Sequence, residues 1–224
     1  MKLLALDTSG RRGSLALAEI AADACRIVAE ARLPAVPRAA QSLLPTLRQL
    51  LAEHAWIPDD VGVVAVTAGP GSFTGLRLGV TTAKTLAFAT GAELAAVPTL
   101  AALAWGSHTD RRPVWGVLDA QRDEVFAARF TSDPGGEARD ECQVLPIEAW
   151  LSLVEPGEAV ATPAAGKLAD RLPAGVELVA RDDGPTPTAV ATLGGALWRA
   201  GRTVDPLQLV PWYHRRSAAE EKAL

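Results

Sequence analysis

The sequence predicts an α/β protein built as two related halves. Three observations predict it. Short continuous apolar runs alternate with segments of helical periodicity along the chain. A strand-Asp-turn-strand unit occurs twice, at 3–18 and at 114–130. A glycine-rich loop, Thr67-Ala68-Gly69-Pro70-Gly71-Ser72-Phe73-Thr74-Gly75-Leu76-Arg77, joins the end of one apolar run to the start of a helical segment. That junction is where an α/β sheet collects ligands or builds its specific contacts.

In chain order, residues 3–6 are continuously apolar and end at Asp7-Thr8-Ser9-Gly10, a buried strand followed by a turn. Residues 14–18 read as its hairpin partner and 25–31 as a third strand. A proline-bearing connector covers 33–40. Leucines at 43, 44, 47, 50 and 51 mark a helix over 41–54, with Pro45 tolerated in its first turn. Residues 61–67 are the next strand. After the glycine loop a helix runs over 76–90 and stops at Gly91. A short strand at 94–97 and a helix at 100–107 follow. The polar stretch 107–113 has no periodicity and reads as a boundary, giving halves at 1–107 and 108–224. In the second half, 114–118 is a buried strand ending at Asp119, with 124–130 as its hairpin partner. Weaker signals place a turn at 133–136, short strands at 143–145, 159–161 and 176–180, and helices at 146–154 and 163–171. Thr188 reads as the cap of a last helix through Ala200. The tail is aromatic and basic at Pro211-Trp212-Tyr213-His214-Arg215-Arg216, and charged over 217–224.

The composition bounds the function. The chain has 224 residues, 49% of them hydrophobic, enough for a sizeable core, and a net charge of −4, which argues against a broad cationic surface for nucleic acid. Cys25 and Cys142 match neither a metal spacing nor a disulfide framework, which fits a reducing compartment. The first residues turn polar at Asp7, too early for a signal peptide, and no apolar run reaches membrane-span length, so a cytoplasmic protein is expected. His54, His108 and His214 are scattered and give no H-x-x-x-H pair. There is no G-x-S-x-G elbow and no nucleophile with a matching base, which leaves a peptidase without support. No metal ligands and no catalytic residues are assigned.

Two sets of residues carry candidate roles. Gly69, Gly71 and Gly75 permit close backbone approach, Ser72 or Thr74 can cap the following helix, and its first N–H groups can hold an anion. The loop lacks the Gly-Lys-Ser/Thr ending of a Walker A motif and the spacing of a dinucleotide fingerprint. Asp7, Thr8 and Asp119 sit at strand ends, where a carboxylate orients a phosphate or metal-bound water, or simply closes an Asx turn. The second set is the small, apolar face of the 76–90 helix, which serves either its own sheet or a partner.

Taken together, several stretches resemble the TsaB (YeaZ) family of bacterial threonylcarbamoyladenosine biosynthesis. These are Leu4-Ala5-Leu6-Asp7-Thr8-Ser9, the loop from Gly69 through Gly79, Asp119-Ala120 with Glu124-Val125-Phe126, and Pro211-x-Tyr213-x-Arg215. The chain departs from the family at Ala39-Ala40-Gln41, where relatives carry a histidine, at Gln121, where they carry arginine, and at His214, where they carry an aliphatic residue. The resemblance implies the actin-like ATPase fold of sugar kinases and Hsp70, with two duplicated lobes and mixed sheets. It implies a non-catalytic platform subunit that binds and activates a TsaD-like subunit, the one that transfers threonylcarbamoyl to the adenosine beside the tRNA anticodon. A TsaE-like ATPase would join, tRNA would be met through the complex, and the chain alone would form a homodimer. No cofactor would be held tightly, with ATP and magnesium present only in the assembled complex. The partner face would be presented by Leu43, Leu47, Leu50, Leu76, Gly79, Val80, Ala83 and Ala87. The competing expectation is a small-molecule kinase or ATPase using the glycine loop with Asp7 and Asp119.

Overall fold

The computed structural model describes residues 1–34, 36, 39–107, 112–131, 142–181 and 183–215. The turn expected at 133–136, most of the boundary at 107–113 and the charged end at 217–224 lie outside them.

The first five strands are β1 (Lys2–Asp7), β2 (Ser14–Ile20), β3 (Cys25–Arg32), β4 (Val61–Gly69) and β5 (Glu93–Pro98). They form one sheet in the order β3-β2-β1-β4-β5. The second sheet contains β6 (Val114–Gln121), β7 (Glu124–Phe130), β8 (Gln143–Pro146), β9 (Ala159–Thr162) and β10 (Glu177–Ala180), in the order β10-β9-β6-β7-β8. The two orders are the same path walked twice. In each, the first strand pairs antiparallel with the second and parallel with the fourth, and the third strand extends the antiparallel side. The parallel pairs β4–β5 and β9–β10 complete the match. This is the duplicated, mixed-sheet α/β architecture of the actin-like ATPase fold.

The continuous apolar runs follow from burial on both faces. In β1, Leu3 and Ala5 face one core and Leu4 and Leu6 another, all at most 1% exposed. The outer core is closed by α1 (Ala39–Glu53) and α2 (Phe73–Thr90). The inner core, shared by both sheets, holds α3 (Thr99–Ala104) and α6 (Pro187–Arg199). A third core lies beyond the second sheet, under α4 (Ile147–Leu151) and α5 (Ala165–Leu168). The layers are therefore helices, sheet, helices, sheet, helices. Helix α6 comes from the far end of the chain yet packs on the first sheet.

Several element ends differ from expectation. Helix α1 begins at Ala39, so Pro45 lies in its interior, where it has no N–H to offer the carbonyl of Gln41; both residues are exposed. Helix α2 begins at Phe73 rather than Leu76, because Ser72 is its cap, accepting from the Gly75 amide at 3.3 Å. The last helix is capped by Thr186 rather than Thr188; the Thr186 hydroxyl takes the Ala189 amide at 3.1 Å and Pro187 fills the first helical position. Helices α3, α4 and α5 are shorter than read, and 169–171 is a separate single turn.

Candidate functional site

The two lobes enclose a cleft of about 750 Å³. One wall is the turn after β1, at Ser9 to Arg11, with the loop from Pro70 to Phe73. The opposite wall is the end of β6, at Leu118 to Gln121, with Lys167 of α5. The segment Trp212 to Arg215 forms a third side.

The glycine loop is shaped by the chain it touches. A Cβ at Gly75 would lie 1.9 Å from the Thr8 carbonyl oxygen, and one at Gly71 would lie 2.7 Å from that of Ser9. At Gly69, φ is +139°, and a Cβ there would lie 2.5 Å from the Trp212 carbonyl oxygen. Hydrogen bonds lock the same approach. The Ser72 amide donates to the Ser9 carbonyl at 2.7 Å, and the Thr8 hydroxyl donates to the Gly75 carbonyl at 2.7 Å. Thr8 also fills the space beside Gly79, where a Cβ would lie 2.3 Å from its Oγ1. The glycines thus admit the β1–β2 turn, and the Ser72 amide is spent on that contact. Thr74 is exposed in the first turn of α2.

The two strand-end aspartates are equivalent in position but not in setting. Each closes an Asx turn: Asp7 Oδ1 accepts from the Ser9 amide at 3.0 Å, and Asp119 Oδ1 from the Gln121 amide at 2.9 Å. Asp7 is 1% exposed, and its Oδ1 also takes the hydroxyls of Ser9 at 2.6 Å and Thr67 at 2.7 Å. Burial pushes its pKa up against these hydrogen bonds, because the charged form loses water. Asp7 and Thr8 lie behind the cleft wall, whereas Asp119 lines it and is paired with Lys167 Nζ at 3.0 Å. Of the predicted loop residues, Gly71 and Ser72 line the cleft and Gly69, Thr74 and Gly75 do not.

Sequence reasoning missed Lys167, which sits on a four-residue helix in the weakly patterned half. It also assigned no contact to the aromatic and basic tail. Instead Tyr213 stacks on Phe73 with ring centroids 4.6 Å apart, and Arg215 bonds the Ala120 carbonyl and Glu124 Oε2, each at 2.6 Å. Burial lowers the His214 pKa below the ordinary imidazole range.

The residues expected to face a partner point inward. Leu43, Leu47, Leu50, Leu76, Val80, Ala83 and Ala87 are at most 4% exposed, and Gly79 is buried with them. They cover the first sheet, which uses the same helical spacing a partner face would use. The outward surface of these helices carries Leu44, 60% exposed, and Phe88, 75% exposed. Among the described residues, no three His, Cys, Asp or Glu side chains cluster as metal ligands, and no helix is long and apolar enough to cross a membrane.

Comparison with known proteins agrees with this geometry. The model of the family described as "TsaD: tRNA N6-adenosine threonylcarbamoyltransferase" matches residues 34–169. The chain is 34% identical over 131 residues to the tRNA threonylcarbamoyladenosine biosynthesis protein TsaB of Bacillus subtilis, covering 58% of this chain and 55% of that protein. It is 32% identical over 142 residues to TsaB of Escherichia coli, covering 61% and 58%. The chain thus spans a little over half the length of these curated relatives. The solved structure of YeaZ from Pseudomonas aeruginosa superposes with a TM-score of 0.73 at 28% identity, over 95% of this chain and 99% of that one. With its duplicated lobes, its glycine loop seated on the β1–β2 turn and these matches along its length, the chain belongs to the TsaB/YeaZ family.

Proposed function

We propose that this protein is a non-catalytic platform subunit in the installation of threonylcarbamoyl on the adenosine beside the tRNA anticodon, binding and activating a TsaD-like catalytic subunit. The observation that carries the non-catalytic part is the fit of the glycine loop. Its glycines are occupied by Thr8, Ser9 and Trp212, the Ser72 amide is bonded to Ser9, and Asp7 is enclosed behind the wall. Two groups of the candidate set, the Ser72 amide and Asp7 Oδ1, are thus engaged with the chain itself. The outer surface of α1 and α2, with Leu44 and Phe88 exposed, is the face offered to the partner, or to a second copy when the partner is absent. A TsaE-like ATPase completes the complex, ATP and magnesium act only in the assembly, and tRNA is met through it.

Co-purification from the native host tests this reading. Recovery of a TsaD-like protein through a moderate salt wash supports it; recovery of the chain alone contradicts it. One observation favours the second reading, a small-molecule kinase or ATPase: Asp119 and Lys167 face the cleft together. Calorimetry of the isolated chain with ATP and magnesium separates the two, tight binding favouring the enzyme.

A further inference from the structure

Residues Trp212 to Arg215 touch both lobes within four residues. On the first lobe, the Trp212 amide donates to the Ala68 carbonyl at 2.7 Å, and Tyr213 stacks on Phe73. Arg77 Nε donates to the Tyr213 hydroxyl at 3.1 Å while its guanidinium lies 4.0 Å over the Phe73 ring. On the second lobe, Arg215 holds the Ala120 carbonyl and the Glu124 carboxylate. His214 lies between, with its ring 6.3 Å from that of Phe126. All four residues line the cleft. The lobes are also joined by the two stretches of chain that run from β5 to β6 and from β10 to α6 and by the inner core they share; on this side of the cleft the segment bonds the second lobe through the Arg215 side chain.

We propose that Trp212–Arg215 is a latch that fixes the separation of the lobes and so controls the opening of the cleft. Three residues of extended chain reach roughly 10 Å, and the Arg215 side chain adds only its own length, so the lobes cannot part far along this side while both ends are held. Opening requires one end to let go. The Arg215 end is the releasable one, since it rests on charge-assisted bonds between partly exposed groups, 26% and 29% exposed, rather than on a backbone bond over a buried strand end. A ligand or partner that takes up Glu124 or Arg215 opens the cleft, and one that reinforces the pair keeps it shut.

The test uses the full chain. Tyr213 is its one tyrosine, so fluorotyrosine labelling gives a single fluorine resonance that reports the Phe73 stack. Hydrogen exchange reads the amides of the Ser72–Phe73 loop and of the β6–β7 hairpin. Arg215→Gln, with Glu124→Gln as an independent second variant, removes the second-lobe anchor. The expected result for both is a shifted Tyr213 resonance and exchange faster by roughly ten- to a hundredfold at the first-lobe loop as well as at the hairpin, the factor that charged hydrogen bonds of this kind carry. Unchanged protection of β1 and β4 shows that the variants are folded. Loss of protection confined to the hairpin, with the Tyr213 resonance unmoved, means that the two anchors are independent and overturns the latch.

Discussion

Replacing Gly75 by alanine isolates what the glycine loop does. On helix propensity alone the change is favourable by about 1 kcal/mol, because position 75 lies in the first turn of α2. The surroundings reverse the sign. The new Cβ would lie 1.9 Å from the Thr8 carbonyl oxygen and 3.1 Å from its carbon, and backbone cannot swing aside as a flexible side chain would. Relief requires the β1–β2 turn and α2 to separate by roughly 1.5 Å to reach ordinary contact. That movement stretches the bond from the Thr8 hydroxyl to the Gly75 carbonyl and the bond from the Ser72 amide to Ser9, both 2.7 Å, each contributing about 1 kcal/mol. Overpacking adds about 1–3 kcal/mol. The net loss is about 2–4 kcal/mol, a fall of roughly 4–15 °C in Tm for a chain of this size. Thermal unfolding followed by circular dichroism measures it. Gly91→Ala is the control: apart from its chain neighbours nothing lies within 4 Å of a Cβ there, and the φ of +73° alone costs about 1 kcal/mol. A Gly75→Ala Tm equal to or above the parent's refutes close backbone contact as the reason for this glycine.

Three further outcomes follow from buried or strained groups. Burial raises the folded pKa of Asp7 above its unfolded value, so the stability tied to its protonated form is complete below the unfolded pKa and lost as pH rises through the folded one; Asp7→Asn should gain Tm relative to the parent as pH rises from acid towards neutral, and parallel Tm–pH profiles contradict this. Glu158 is 2% exposed and accepts from Trp115 Nε1 at 2.8 Å, from Arg129 Nε at 2.7 Å and from the Glu155 amide at 3.0 Å; Glu158→Ala should cost about 3 kcal/mol in urea unfolding, and a loss under about 1 kcal/mol shows that its donors re-pair elsewhere. Gln121, Arg122 and Asp123 hold consecutive positive φ values of 65°, 53° and 59°; Gln121→Gly should stabilise the turn by about 0.5–1 kcal/mol, and a lower Tm shows that the glutamine side chain contributes more than its backbone costs.

The first lobe was legible in the sequence because its strands are buried on both faces. Leu3 to Leu6 and Val63 to Val66 have no polar side to blur the pattern. The second lobe was harder for a physical reason: β8, β9 and β10 have four residues each, and β8 and β10 are only half buried. Duplication was visible through Asp7 and Asp119, which close the same turn in both halves. What their environments do was not visible. Enclosure of Asp7 depends on Thr67, sixty residues away, and the partner of Asp119 is Lys167, on a helix of four residues. The leucine and small-residue stripes of α1 and α2 were read correctly as apolar faces, but periodicity cannot say whether a face meets its own sheet or another protein. Burial assigns Val80 and its neighbours to the sheet, so a charge at Val80 tests folding, and a test of association must use Leu44 and Phe88.

The most direct test of the platform reading is therefore a calorimetric titration of the chain into a purified TsaD-like protein, the proposed partner, using the parent and the Leu44→Glu and Phe88→Glu variants. The account predicts saturable association by the parent, affinity reduced roughly tenfold or more when a charge is placed on the apolar face, and unchanged Tm for both variants. An absence of association by a folded parent chain, together with tight binding of ATP and magnesium by that chain alone, contradicts it.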